Sequence, residues 1–119
     1  MTFEDLESWQ KARHIVCKIY KLTRAQELCR DFGLCTQLQR AAVSIMSNIA
    51  EGFERSHLQE KLQFYNVARS SAAEVRSLLY VIEDNFPQLG LVATVLRDEI
   101  IVVGKLVSGL LRSTERRKL

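Results

Sequence analysis

Hydrophobic residues recur along this chain at intervals of three and four, the spacing that places them on one face of an α-helix. This pattern predicts a first helix over residues 5–22, a second over 31–51 with Gly52 as its C-cap, and a fourth over 91–113. The third predicted helix begins directly after Ser56, and its alternation from Leu58 to Phe86 is long enough to form a coiled-coil-like seam. No stretch carries a strand signal.

The sequence also marks the ends of the third helix. Ser56 and Gln59 have the spacing of a capping box. Pro87 ends the helix because proline disfavours the α conformation in the residue before it. Four helices with short connections predict an all-α fold: an antiparallel up-down-up-down four-helix bundle, with residues 1–119 as one domain.

The fourth helix has a broader hydrophobic face than one small bundle can cover. This face comprises Val92, Val95, Leu96, Ile100, Val103, Leu106, Val107, Leu110 and Leu111. Excess hydrophobic surface on a helix usually marks a contact with a partner. We therefore expect the chain to form homo-oligomers through this helix, with the second helix as a further contact.

Composition is that of an ordinary globular protein, with 47% hydrophobic and 26% charged residues. The opening residues are acidic rather than basic, and no hydrophobic run approaches the length of a membrane span. The three cysteines, an odd number, lack a C-x-x-C spacing. We expect a cytoplasmic protein with reduced thiols and no membrane association.

Positive charge is concentrated in two places, although the net charge is only +3. Residues 8–24 contain five basic residues and no acidic one, and a basic tail occupies residues 112–119. Both clusters could follow a phosphate backbone without reading bases. The candidate nucleic-acid-binding residues are Lys11, Arg13, Lys18, Lys21, Arg24, Arg112, Arg116, Arg117 and Lys118.

Motifs for catalysis or metal binding are weak. Glu54 and His57 match the Glu-x-x-His spacing of di-iron bundles, but such a site needs that pair twice, and the other histidine, His14, has no matching glutamate. There is no G-x-S-x-G motif and no glycine-rich phosphate loop. We expect no enzymatic activity, no cofactor and no metal site.

Several segments occur together in one order: Phe3-Glu4-Asp5-Leu6 with Trp9, Gln37-Leu38-Gln39-Arg40-Ala41-Ala42-Val43-Ser44-Ile45, Asn48-Ile49-Ala50-Glu51-Gly52 and Ser71-Ala72-Ala73-Glu74. In these segments the chain resembles the four-helix bundle proteins of the 23S ribosomal RNA intervening-sequence family. The resemblance extends from residue 3 to about residue 112. One departure is the link at residues 24–30, which lacks a proline often found there and predicts either an earlier second helix or a short extra turn.

This resemblance implies a small bacterial bundle that assembles as a five-fold ring. A related bundle, the accessory variability protein of diversity-generating retroelements, is a basic pentamer that binds nucleic acid and a reverse transcriptase. The family-motif polar residues correspond here to Gln37, Arg40, Ser44, Asn48, Glu51, Ser71 and Glu74. They form either a shared surface for RNA or a partner, or a buried polar network at a helix or subunit contact. The second interpretation is favoured because Gln37, Ser44 and Asn48 flank the hydrophobic stripe.

The resulting hypothesis is a non-catalytic homopentameric bundle that binds RNA or DNA through the first helix and the tail. The alternative is a scaffold ring whose partner is another protein, with the basic residues serving only solubility. Salt dependence of binding separates the two, because contacts with phosphates release counterions.

Overall fold

The computed structural model describes residues 1–118, and over that range the chain is all-α, with four long helices and no strand. The helices are α1 (Glu7–Leu22), α2 (Phe32–Glu54), α3 (Leu58–Asn85) and α4 (Gly90–Glu115), with 3-10 turns at Phe3–Asp5, Pro87–Leu89 and Arg116–Lys118. Leu119 and the side chain of Lys118, both part of the predicted basic tail, lie outside what the structure describes. None of the described helices is long and hydrophobic enough to cross a lipid bilayer.

One hydrophobic core runs along the bundle, which measures 50 × 21 × 20 Å. Helix α2 packs against α1 and α3, and α4 packs against α3 and α1. The predicted seam of the third helix is confirmed, since seven of its residues are buried: Leu62, Tyr65, Ala68, Ala72, Val75, Leu79 and Ile82.

The prediction that Gly52 ends the second helix is wrong. Helix α2 continues to Glu54, and Gly52 is a buried helical residue. A Cβ at position 52 would lie 2.5 Å from Tyr65 Cε1, which is closer than packed atoms approach. Gly52 therefore serves the close approach of α2 and α3 rather than a left-handed turn.

The predicted capping box is also wrong. Helix α3 begins at Leu58 with His57 as its N-cap and no side-chain cap, so Ser56 lies one position too early to cap it. The nearby end of α2 is closed instead by Lys61, whose Nζ donates to the carbonyl oxygens of Gly52 at 3.2 Å and Phe53 at 2.7 Å. A cation here also complements the negative end of the α2 dipole.

The link between α1 and α2 contains a short extra turn, one of the two arrangements predicted for it. The backbone N–H groups of Leu28 and Cys29 donate to the Ala25 carbonyl at 3.0 and 2.8 Å. Leu28 is fully buried, so the link contributes to the core. Helix α2 then begins after Asp31, whose carboxylate accepts from the Leu34 N–H at 3.1 Å.

Candidate nucleic-acid and subunit contact surfaces

The basic residues of α1 differ in whether an acidic residue of the same chain already pairs with them. Lys18 is half-buried, and its Nζ lies 2.6 Å from Glu99 Oε1 on α4. Its charge is therefore already compensated. Lys21 and Arg24 are exposed, and no carboxylate of residues 1–118 lies within ion-pair distance of either.

Two further α1 cations make only weak surface contacts. Lys11 Nζ lies 3.9 Å from Glu7 Oε2, one helical turn away, and both side chains are exposed. The Arg13 guanidinium lies 5.7 Å from the centre of the Trp9 ring. Exposed contacts of this kind are worth at most about 1 kcal/mol, so Lys11 and Arg13 stay available for a phosphate.

The basic tail lies beside the turn between α2 and α3. Arg112, Arg116 and Arg117 are exposed at and just beyond the last turn of α4. Burial first, and then the nearby charge of Arg117, lowers the pKa of the Lys61 ammonium. The Arg55 guanidinium stacks 4.7 Å from the Phe64 ring centre in the same region. Arg55 and Lys61, which lie in a charge-neutral stretch of sequence, were not among the predicted residues.

The two predicted basic clusters are not brought together within one chain. Lys11 lines a surface pocket with Val102 and Val103 at the middle of α4, whereas Lys21 lies beside Leu91 in its first turn. Lys21 and Arg24 are therefore near the opposite end of the bundle from the tail. A ligand that touches both ends must span most of the molecule, or contact more than one copy.

The family-motif polar residues meet where α2 packs on α3. The Oγ atoms of Ser44 and Ser71 are 2.8 Å apart. Asn48 Nδ2 donates to the Ser44 carbonyl at 2.8 Å and to its Oγ at 3.0 Å. These three side chains form a polar network that fixes the register of the two helices.

The remaining motif residues are exposed around that network. Gln37 Nε2 donates to Glu74 Oε2 at 3.3 Å. Both residues, with Arg40, line an open groove of about 700 Å³ between α2 and α3, which we call the α2–α3 groove. Glu51 is exposed further along α2. The motif thus includes both residues of a helix contact and residues that a partner could reach.

The family model for 23S rRNA-intervening sequence protein matches residues 4–89, which hold α1, α2, α3 and the turn that follows them. The chain belongs to this family. No curated protein sequence matches it. The match stops at Leu89, so it is shorter than the resemblance expected from the motifs, and α4 lies outside the region that the family model describes.

Helix α4 carries four exposed large hydrophobic residues, more than any of the other three long helices. Much of its predicted hydrophobic face is nevertheless covered within the chain, since Leu96, Ile100, Val103, Val107 and Leu111 are buried. Leu91 is 78% exposed, and Val92 and Val95, predicted to belong to its broad hydrophobic face, are about half exposed. Together with Leu22, Ala25 and other residues they line an open groove of about 510 Å³ between α1 and α4, which we call the α1–α4 groove. Lys18 and Lys21 lie on its rim.

The same chain offers little that resembles a reactive centre. Within residues 1–118, no group of three or more His, Cys, Asp or Glu side chains is arranged to hold a metal ion. Glu54 and His57, the Glu-x-x-His pair, are exposed at the α2–α3 turn. Burial, then the charge of Asp31, raises the pKa of the Cys35 thiol, which keeps this group in its unreactive form.

Proposed function

We propose that this protein is a non-catalytic, homopentameric ring of helical bundles that binds nucleic acid, RNA in the first place, through electrostatic contacts with phosphates. The observation that carries the proposal is the exposure of Arg13, Lys21 and Arg24 on one side and of Arg116 and Arg117 in the tail. These cations have no strong ion pair to break when they approach a phosphate. Each phosphate that they neutralise releases counterions from the nucleic acid, which favours binding.

Each bundle in this proposal is antiparallel, in up-down-up-down order. Side-chain contacts between neighbouring helices support it. Gly52, near the end of α2, faces Tyr65 in the first half of α3, whereas Gln37, near the start of α2, pairs with Glu74 further along α3. Arg97 of α4 likewise pairs with Glu83 near the end of α3.

Assembly into a ring would multiply weak contacts. A single bundle presents a few usable cations at each end, and five copies around an axis would repeat each cluster five times. Repeated sites held at a fixed spacing bind far more tightly than one site does. The exposed hydrophobic residues of α4 support assembly, and the family's link with 23S rRNA makes RNA the first ligand to test.

The test is a fluorescence-anisotropy titration with a short structured RNA and with duplex DNA, at about 50 and 200 mM salt. We expect micromolar or tighter binding at the lower concentration and a steep loss at the higher one. The variant Lys11→Gln, Arg13→Gln, Arg24→Gln, which leaves the α1–α4 groove untouched, should weaken binding and flatten the salt dependence. Its control, Arg69→Gln, Arg76→Gln, Lys105→Gln, removes the same charge from exposed positions on α3 and α4.

Equal loss in both triple variants would mean that net charge, not the α1 surface, drives binding. An absence of binding at 50 mM salt would remove the nucleic-acid role. The exposed Leu91, Val92 and Val95 would then favour the second candidate, a scaffold that binds another protein through α4. Association that is unaffected by salt would support that candidate.

A further inference from the structure

Two exposed hydrophobic features lie on different sides of the bundle, and we propose that they bind each other between copies: Phe32 of one chain inserts into the α1–α4 groove of the next. This inference rests on the homo-oligomer proposed above and names the surfaces that form it. It predicts a head-to-tail contact, in which each copy contributes Phe32 to one neighbour and a groove to the other.

Phe32 has the properties of an anchor residue. It is 79% exposed although it is a large aromatic side chain at the first position of α2. The Asp31 cap, through its bond to the Leu34 N–H, fixes the backbone on which Phe32 sits. A rigidly presented aromatic ring loses little conformational entropy on binding, which is why such residues dominate interface energies.

The α1–α4 groove has the complementary chemistry. Its floor is hydrophobic, formed by Leu22, Leu89 and Leu96, and its open side holds Leu91 and Val95. Its volume of about 510 Å³ leaves room for an aromatic side chain. The rim is basic, through Lys21, whereas the residue before Phe32 is the acidic Asp31. The exposed Asp31 carboxylate is therefore complementary to Lys21, although Arg30 beside it makes the segment before Phe32 neutral as a whole.

Other occupants fit the groove less well. A nucleic acid would place charged phosphates over a hydrophobic floor. Two copies that joined through the same groove would bring their Lys21 side chains together, which like-charge repulsion opposes. The chain's own Phe32 lines the α2–α3 groove and no part of the α1–α4 groove, so it is not the occupant.

Anchor and groove also lie at the same end of the bundle. Cys35, one turn after Phe32, has its Sγ 3.8 Å from the carbonyl oxygen of Thr23, the residue that follows α1. The groove is lined by the last turn of α1 and the first turns of α4. Neighbouring copies can thus dock side by side with little shift along the bundle axis, as a closed ring requires.

Cross-linking tests the contact while leaving Phe32 and the groove floor in place. In a Cys17→Ser, Cys29→Ser background, which leaves only the buried Cys35, Gly33→Cys beside the anchor and Lys21→Cys on the rim are combined in one chain and treated with a short bismaleimide. We expect a ladder of covalent oligomers that ends at the ring size. The matched control, Gly33→Cys with Ser77→Cys on the exposed side of α3, should give no ladder.

Light scattering of Phe32→Ala and of Val95→Arg gives the second measurement. Each should weaken association about tenfold or more, while the thermal unfolding of the bundle by circular dichroism stays close to the parent's in dilute solution. An oligomeric parent whose cross-links do not form overturns this contact and leaves the ring standing. A monomeric parent overturns both the contact and the ring. The anisotropy titration then tests nucleic-acid binding by the monomer independently.

Discussion

The ring of Tyr65 on α3 packs directly on Gly52 of α2. A Cβ at position 52 would lie 2.5 Å from Tyr65 Cε1 and 2.8 Å from Cδ1. Tyr65 is 2% exposed, so its ring has little room to move away. This contact gives a physical reason for a glycine within the Asn-Ile-Ala-Glu-Gly motif.

We expect Gly52→Ala to lower the free energy of unfolding by about 1–3 kcal/mol, because overpacking outweighs the gain in helix propensity. Gly104→Ala is the matched control. It lies within α4 with nothing within 4 Å of its added Cβ, and should instead raise stability by about 0.5–1 kcal/mol. Urea unfolding of both variants measures the difference, and equal effects would show that Tyr65 yields to the new methyl group.

The bond between Ser44 and Ser71 should contribute measurably to the α2–α3 contact. Ser71→Ala is expected to cost about 0.5–1.5 kcal/mol, because it removes the partner of a partly buried hydroxyl. A double-mutant cycle with Ser44→Ala isolates the pair, and a coupling near zero would contradict the network. Ser77→Ala, on the exposed side of α3, should change stability by less than about 0.5 kcal/mol.

Lys18 and Lys21 should behave differently although they lie one turn apart. Lys18→Gln removes the partner of Glu99, whose second oxygen, Oε2, already has no hydrogen bond. We expect it to reduce stability, by about 1 kcal/mol or less because both side chains are about one-third exposed, and to leave binding to RNA little changed. Lys21→Gln should leave the stability of the bundle unchanged and reduce the salt slope of binding by about one, compared at concentrations where light scattering gives the same oligomer for variant and parent. Identical binding profiles for the two variants would contradict this division.

The three cysteines should react in order of exposure. Cys17 is exposed, Cys29 is partly buried and Cys35 is buried beneath the α1–α2 link. Because burial raises the pKa of the Cys35 thiol, it should be modified by iodoacetamide only when the chain unfolds. Mass spectrometry of timed samples, with a urea-unfolded sample as the control, checks the order. Early modification of Cys35 would mean that the link opens in the native state.

Periodicity predicted the positions of the four helices well, because the spacing of hydrophobic residues determines which face of a helix can pack on the core. The seam from Leu62 to Ile82 follows directly from the alternation of three and four. Helix ends depend on single contacts that spacing does not describe. Lys61 caps α2 from the next helix, and Tyr65 occupies the space beside Gly52, so both the predicted C-cap and the predicted capping box were wrong.

The candidate surfaces were less predictable, because exposure and pairing depend on which helices become neighbours. The charge pattern gave Lys18 and Lys21 equal weight, yet Glu99, 81 positions after Lys18, distinguishes them. The sequence does hold one signal for Phe32, because this residue falls outside the hydrophobic stripe of α2, and the structure shows that it is exposed. Whether Phe32 can act as an anchor depends on the α1–α4 groove, whose two sides come from segments about 65 residues apart in the sequence, so spacing along the chain does not reveal it.

The buried Leu28 restricts how copies of this protein can associate. Exchange of helices between chains requires a hinge that can straighten, and the link between α1 and α2 is the longest non-helical connection in the described chain. Straightening it would pull Leu28 out of the core and expose a side chain whose burial is worth about 1.5–3 kcal/mol. Domain swapping of α1 is thereby disfavoured, and each subunit keeps its own first helix.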